Sequence, residues 1–130
     1  MCIFCDIVKG DIPSNKVYED EEVIAILDLS QTTYGHTLVM PKKHYDNFLQ
    51  MPQDEFSSLM AKAQLIAKKL ETKLNFNGVN VLINTNEVAG QTVMHTHVHI
   101  IPRYDENDKV KFEFTPNDYK LNEVLKKIND

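Results

Sequence analysis

His95-Thr96-His97-Val98-His99-Ile100-Ile101, with Met94 before it and Pro102-Arg103 after it, decides how this chain folds. Three of its five histidines stand at every second position of this run. β-branched and apolar residues sit between and after them, which favours a strand. Side chains alternate between the faces of a strand, so His95, His97 and His99 are expected on one face, about 6–7 Å apart. Thr96, Val98 and Ile100 then point to the other. Three imidazoles on one wall make a poor core and useful chemistry. Two of them could share a metal ion with a further ligand. One could instead be a nucleophile, its second ring nitrogen held as a donor, typically to a backbone carbonyl. Each could also be satisfied separately.

The residues upstream lean towards phosphate. Asn84-Thr85-Asn86-Glu87-Val88-Ala89-Gly90-Gln91-Thr92 is turn-rich and polar, and Gly90 permits a backbone geometry that other residues resist. Amides and a hydroxyl placed there would face an oxyanion without adding charge.

Further out, two strands are expected at Lys16–Glu19 and Val23–Leu27, turning at the acidic Asp20-Glu21-Glu22, with Asp28 ending the second. A third spans Thr37–Pro41. His36, just before it, reads as a satisfied structural histidine, and Lys42 and Lys43 as solvated charges. Apolar residues at Phe56, Leu59, Met60, Ala63, Ile66, Ala67, Leu70 and Leu74 have helical spacing, so a long helix is expected from Pro52 to Leu74. A fourth strand follows at Gly78–Asn84, and the histidine run is the fifth. A short helical turn is expected between Phe4 and Gly10. A last amphipathic helix is expected over about 116–129, with Leu121, Val124, Leu125 and Ile128 on one face. Antiparallel strands with helices on one side give an α+β domain.

A length of 130 residues with 42% hydrophobic content suits one domain, with its core over about 2–103 and a C-terminal extension. The net charge of −5, with both signs interspersed, argues against a general nucleic-acid or membrane surface. No apolar run approaches the roughly 18–20 residues that span a bilayer, and no secretory pattern opens the chain. A cytoplasmic location is expected. Cys2 and Cys5 form Cys-Ile-Phe-Cys, the only cysteines. A structural disulfide needs an oxidising compartment. A redox pair should follow a strand, and none precedes it. A zinc knuckle needs two more ligands. Two incidental thiols are the remaining alternative.

The histidine run resembles the signature of the histidine triad (HIT) family, His-φ-His-φ-His-φ-φ with φ apolar. Ile12-Pro13, Leu27-Asp28-Leu29-Ser30, Gly35-His36-Thr37-Leu38-Val39-Met40-Pro41-Lys42-Lys43-His44 and Gly90-Gln91-Thr92-Val93 agree with its Hint-type bacterial branch, in the expected order from about Cys2 to Arg103. Thr96 stands where the family usually has a larger apolar residue, and Thr92 where relatives often have serine. The resemblance implies a HIT-like fold, a five-stranded antiparallel sheet commonly paired into a homodimer.

By the same resemblance, Cys2, Cys5, His44 and His95 would hold a structural zinc. His97 would be the nucleophile, and His99 would hydrogen-bond phosphate oxygen with Asn84, Gly90, Gln91 and Thr92. Asp28 would take the ribose hydroxyls. Phe4, Ile7, Ile26 and Leu29, which periodicity alone would assign to core, would wall a purine. The implied reaction is attack on the α-phosphate of a nucleotide or nucleoside phosphoramidate, a covalent nucleotidyl-histidine, and hydrolysis to the nucleoside monophosphate, with no Mg²⁺ required. An Fhit-like dinucleoside polyphosphate hydrolase is one alternative. A nucleotide- or partner-binding module with negligible turnover is another. No nucleic-acid or membrane partner is expected.

Overall fold

Val23-Ile24-Ala25-Ile26-Leu27 is apolar at every position, the pattern of a strand covered on both faces. In the computed structural model, which describes residues 2–130, this strand lies inside a five-stranded sheet. The strands are β1 (Lys16–Glu19), β2 (Val23–Leu27), β3 (Thr37–Pro41), β4 (Gly78–Ile83) and β5 (Val98–Arg103). Their order is β1-β2-β3-β5-β4, and every neighbouring pair is antiparallel. The helices are α1 (Ile3–Lys9), α2 (Gln53–Leu74) and α3 (Leu121–Asn129).

The sheet has a core on each side. Val23, Ala25, Val39, Val98 and Ile100 pack with Leu59, Ala63, Ile66 and Leu70, the inward stripe of α2. Each large aliphatic side chain so removed from water contributes about 1.5–3 kcal/mol. On the opposite face Ile24, Ile26, Leu38 and Met40 pack against Phe4 and Ile7 of α1. The expectation of helices on one side is therefore corrected: the short N-terminal helix covers the second face. It is capped by the Cys2 thiolate or thiol, which accepts the Cys5 N–H at 3.3 Å.

Gly35 is needed for close approach. It has φ +93°, and a Cβ there would come within 2.3 Å of Leu74 Cδ1. The loop it belongs to thus lies tight against the end of α2 and sets up the start of β3.

Four boundaries differ from expectation. The final strand begins at Val98, leaving His95 and His97 ahead of it. The backbone N–H of Thr96 donates to Tyr45 O at 2.8 Å, and its hydroxyl reaches the same oxygen at 3.1 Å. This stretch therefore pairs with the loop after β3, outside the sheet ladder. Thr96, Val98 and Ile100 are buried, and His95 and His97 are buried with them. Pro52 caps α2 from outside its first turn, and the fourth strand stops at Ile83. The last helix starts at Leu121; residues 111–120 have no regular structure and are exposed. No described helix is long and apolar enough to cross a membrane.

Candidate active site and metal centre

The entry to β5 presents two histidines in complementary tautomers. His97 Nδ1 lies 2.7 Å from the carbonyl of His95, an acceptor only, so Nδ1 carries the proton and Nε2 keeps its lone pair. His99 is set the other way. The Thr32 N–H points at His36 Nδ1 over a long 3.5 Å, which leaves His36 Nε2 as the donor to His99 Nδ1 at 3.0 Å. His99 Nε2 then carries a hydrogen that it can donate. One ring offers a lone pair and its neighbour, 5.0 Å away between centroids, offers a donor. Burial pushes His97 below the ordinary histidine range, and burial with the adjacent His97 and His36 takes His99 down to about 4. Both rings are neutral near pH 7.

His36, expected as a satisfied structural histidine although it resembles a family position near the nucleotide site, stands against the histidine pair. It is buried, and besides holding His99 its Nε2 lies 3.6 Å from Asp28 Oδ2. Asp28, His36 and His99 form one cluster joined from the ends of β2, β3 and β5. The signal was available in Gly35-His36-Thr37, but nothing in its spacing says that His36 meets His99, 63 positions on.

A cleft of about 230 Å³ opens beside this pair, lined by Phe4, Ile7, Ile26, Asp28, Leu29, Thr92, His97 and His99 among others. The four expected apolar wall residues, the expected ribose carboxylate, the two histidines and Thr92 thus share one hollow. Phe4, Ile7 and Ile26 are buried walls, whereas Leu29 is 91% exposed and forms an outer lip. Asp28 Oδ1 also accepts the Ser30 N–H at 2.8 Å, which fixes its carboxylate.

The loop before β5 departs from expectation. Gln91 is buried, its Nε2 donates to Asp46 O and Val93 O at 2.6 and 3.0 Å, and its Oε1 accepts from Asn86 N at 2.8 Å. Its amide is consumed in holding the loop and does not line the cleft. Asn84 Nδ2 points at Gly90 O over 3.4 Å, so it too braces the turn. Gly90, at φ +101°, supplies the left-handed step that ends the turn. Of the expected phosphate group, Thr92 alone is among the residues that line the cleft.

The N-terminal cysteines do meet His44 and His95. The Cys2 Sγ to His95 Nδ1, Cys5 Sγ to His44 Nδ1 and Cys5 Sγ to His95 Nδ1 separations are 3.4, 3.3 and 3.6 Å, and the two Nδ1 atoms are 3.2 Å apart. Zinc bonds of about 2.3 Å to sulfur and 2.0–2.1 Å to nitrogen, at tetrahedral angles, require edges of about 3.5 Å and 3.3 Å. The four donors match that figure. Both rings are oriented from outside, His95 Nε2 by Pro41 O and His44 Nε2 by Asp46 Oδ1, each at 2.7 Å. These acceptors fix Nε2 as N–H and turn both Nδ1 lone pairs inwards, the usual support for metal-ligating histidine. The residues fit a structural zinc, with every tetrahedral position taken by protein.

Comparison with known proteins gives the chain its family and fold. A family model described as HIT domain matches residues 9–106. An uncharacterised HIT-like protein of Methanocaldococcus jannaschii is 49% identical, over 98% of both chains. An adenylylsulfatase of Arabidopsis thaliana is 36% identical over 82% of this chain and 54% of its own. The crystal structure of a HIT family protein from Bacillus anthracis superposes with TM-score 0.92 at 42% identity, covering 98% of this chain and 92% of that one. A Zn-bound histidine triad family protein from Mycobacterium smegmatis gives TM-score 0.79 at 40% identity, over 89% of this chain and 84% of that one.

Proposed function

Since the chain belongs to the HIT family, a family of nucleotide-binding hydrolases and transferases, we propose that it is a nucleoside phosphoramidase or related nucleotide hydrolase. It acts at the α-phosphate of purine nucleoside phosphoramidates or similar conjugates. The observation that carries this reading is the hydrogen bond from His97 Nδ1 to His95 O, which frees Nε2 beside a nucleotide-sized cleft.

Nε2 attacks the α-phosphorus, and the bond from phosphorus to the leaving nitrogen or oxygen breaks as the leaving group takes up a proton. His99 donates to a non-bridging oxygen as charge develops, where one aimed donor is worth about 3 kcal/mol of barrier. Water then attacks phosphorus, the P–N bond to His97 breaks, and nucleoside monophosphate leaves with the imidazole neutral again. Asp28 receives the ribose hydroxyls, and Phe4, Ile7, Ile26 and Leu29 enclose the purine. Thr92 contacts phosphate, with Asn84, Gly90 and Gln91 shaping the loop behind it.

Cys2, Cys5, His44 and His95 would hold a zinc ion, which would supply structural cross-linking when bound. The working form is a homodimer in the cytoplasm. The adenylylsulfatase relative supports an adenylyl conjugate as substrate class, with a different leaving group.

AMP release from adenosine 5′-phosphoramidate tests the reading. His97→Ala should lose about a thousandfold or more of kcat/KM while keeping AMP binding. Full activity in that variant would move the nucleophile elsewhere. Absence of turnover by the parent protein on this substrate and on dinucleoside polyphosphates, with AMP still bound, would favour a binding module.

A further inference from the structure

His36 is the histidine that neither the cysteine centre nor the phosphate chemistry uses directly. It is buried, and its Nε2 faces two further groups able to bind a metal, His99 Nδ1 at 3.0 Å and Asp28 Oδ2 at 3.6 Å. The three ligand atoms all lie within 4.8 Å of one another. An ion bound at about 2.0–2.2 Å to nitrogen and oxygen sets edges of about 3.0 Å at octahedral angles and about 3.4 Å at tetrahedral ones. The two shorter edges of the cluster bracket those lengths. The rings of His36 and His99 are 5.2 Å apart between centroids, with 36° between their planes. A modest tilt of each ring therefore turns both inner nitrogens onto one point.

Each ligand can be made ready for an ion. Asp28 holds the Ser30 N–H through Oδ1, and its Oδ2 stands too far from His36 for a hydrogen bond. His99 Nδ1 already carries a lone pair. His36 needs its own proton on Nδ1, and the Ser30 backbone favours a protonated ring there. A backbone partner of this kind orients most metal-ligating histidines. Asp28 and His99 both line the cleft, so a remaining coordination position opens into it. Two imidazoles and one carboxylate suit a borderline divalent transition cation, whereas Mg²⁺ and Ca²⁺ ask for oxygen ligands.

We propose that Asp28, His36 and His99 form a second metal site, which takes a divalent transition cation such as Zn²⁺ or Co²⁺ and closes the cleft to nucleotide while it is occupied. The site has no sulfur ligand and keeps a position open, unlike the cysteine centre. The ion claims the carboxylate and the imidazole that a nucleotide would use, so the two exclude each other. The site stands on its three ligands alone; the exclusion rests on the ribose and phosphate roles proposed above.

The test is a Co²⁺ titration, followed by visible absorption, of the full chain with its cysteine centre already filled with zinc. One further Co²⁺ per chain should bind, and its spectrum should lack the thiolate-to-metal band that cobalt bound by Cys2 and Cys5 would give. His36→Gln and Asp28→Asn should each weaken this binding about tenfold or more, with the first zinc retained as the check on folding. An equal concentration of Mg²⁺ should not compete. Adenosine brings the ribose without a phosphate that could itself bind the ion. At about ten times its dissociation constant it should raise the apparent Co²⁺ dissociation constant about tenfold. No further Co²⁺, or further Co²⁺ that both variants keep, would overturn the site. Co²⁺ binding that bound adenosine leaves unchanged would overturn the exclusion. Co²⁺ bound and displaced as expected by a protein that releases no AMP would uphold the site and count against the catalytic reading alone.

Discussion

His99 carries a cost that pH exposes. Its ordinary value is 6.5, and burial together with its histidine neighbours holds it at about 4 in the fold. Between those values the unfolded chain binds more protons than the folded one, so stability is lost as pH falls. His99's contribution is complete above about 6.5 and gone as pH drops through about 4; His36, also lowered by burial, acts in the same direction. Scanning calorimetry should therefore show the melting temperature falling from pH 7 to 4.5, and His99→Asn should flatten part of that slope. An unchanged slope would mean that carboxylates alone account for it. At this scale the sequence was readable where a signature places a residue, as for His97 and His99 beside the cleft, and opaque where a partner decides. Gln91 is suited to phosphate by type, yet three backbone groups claim its amide. His36 looks unremarkable until the fold sets it against His99.

Helix α1 joins two sites that the sequence presents separately. Cys2 caps it and Cys5 lies in its first turn, while Phe4 between them packs edge-on against His97 and His95 at 5.1 and 6.0 Å. Ile7, a turn later, lines the cleft beside His97 and His99. A metal held by the cysteines would therefore clamp the wall of the proposed base pocket that this helix supplies. Cys5→Ala should lower zinc from about one ion per chain towards none and reduce nucleotide affinity about tenfold. Metal analysis and calorimetric titration with AMP check the two effects. Linkage requires AMP to slow zinc removal by chelator in return, and zinc loss that leaves AMP affinity untouched would separate the sites. The elements themselves were legible where burial is periodic, as along α2, or continuous, as in β2. The reading failed at His95–His97 and at residues 116–120. In the first, Tyr45 O draws the backbone out of the ladder. In the second, strand-like and helix-like apolar patterns adjoin without a core to choose between them.

The whole molecule carries a charge of −5 and is proposed to accept an anion. Like charge slows encounter, and added salt screens it over a Debye length of about 8–10 Å near physiological strength. Raising sodium chloride from 10 to 150 mM should therefore increase kcat/KM for a nucleotide substrate, by about twofold, with kcat little changed. Stopped-flow binding of a fluorescent nucleotide measures it directly, and a decrease with salt would place a local cationic funnel at the cleft mouth.

The bond that holds His97 ends on a main-chain carbonyl, and that fact bears on how heredity can reach the site. Every substitution at position 95 changes a ring and leaves the oxygen in place. A saturation scan would therefore score His95 for its ring's roles and record nothing for the acceptor beneath it. The part of the chain that orients the His97 ring is written in no codon; selection can act on it only through the residues that shape the path of the backbone.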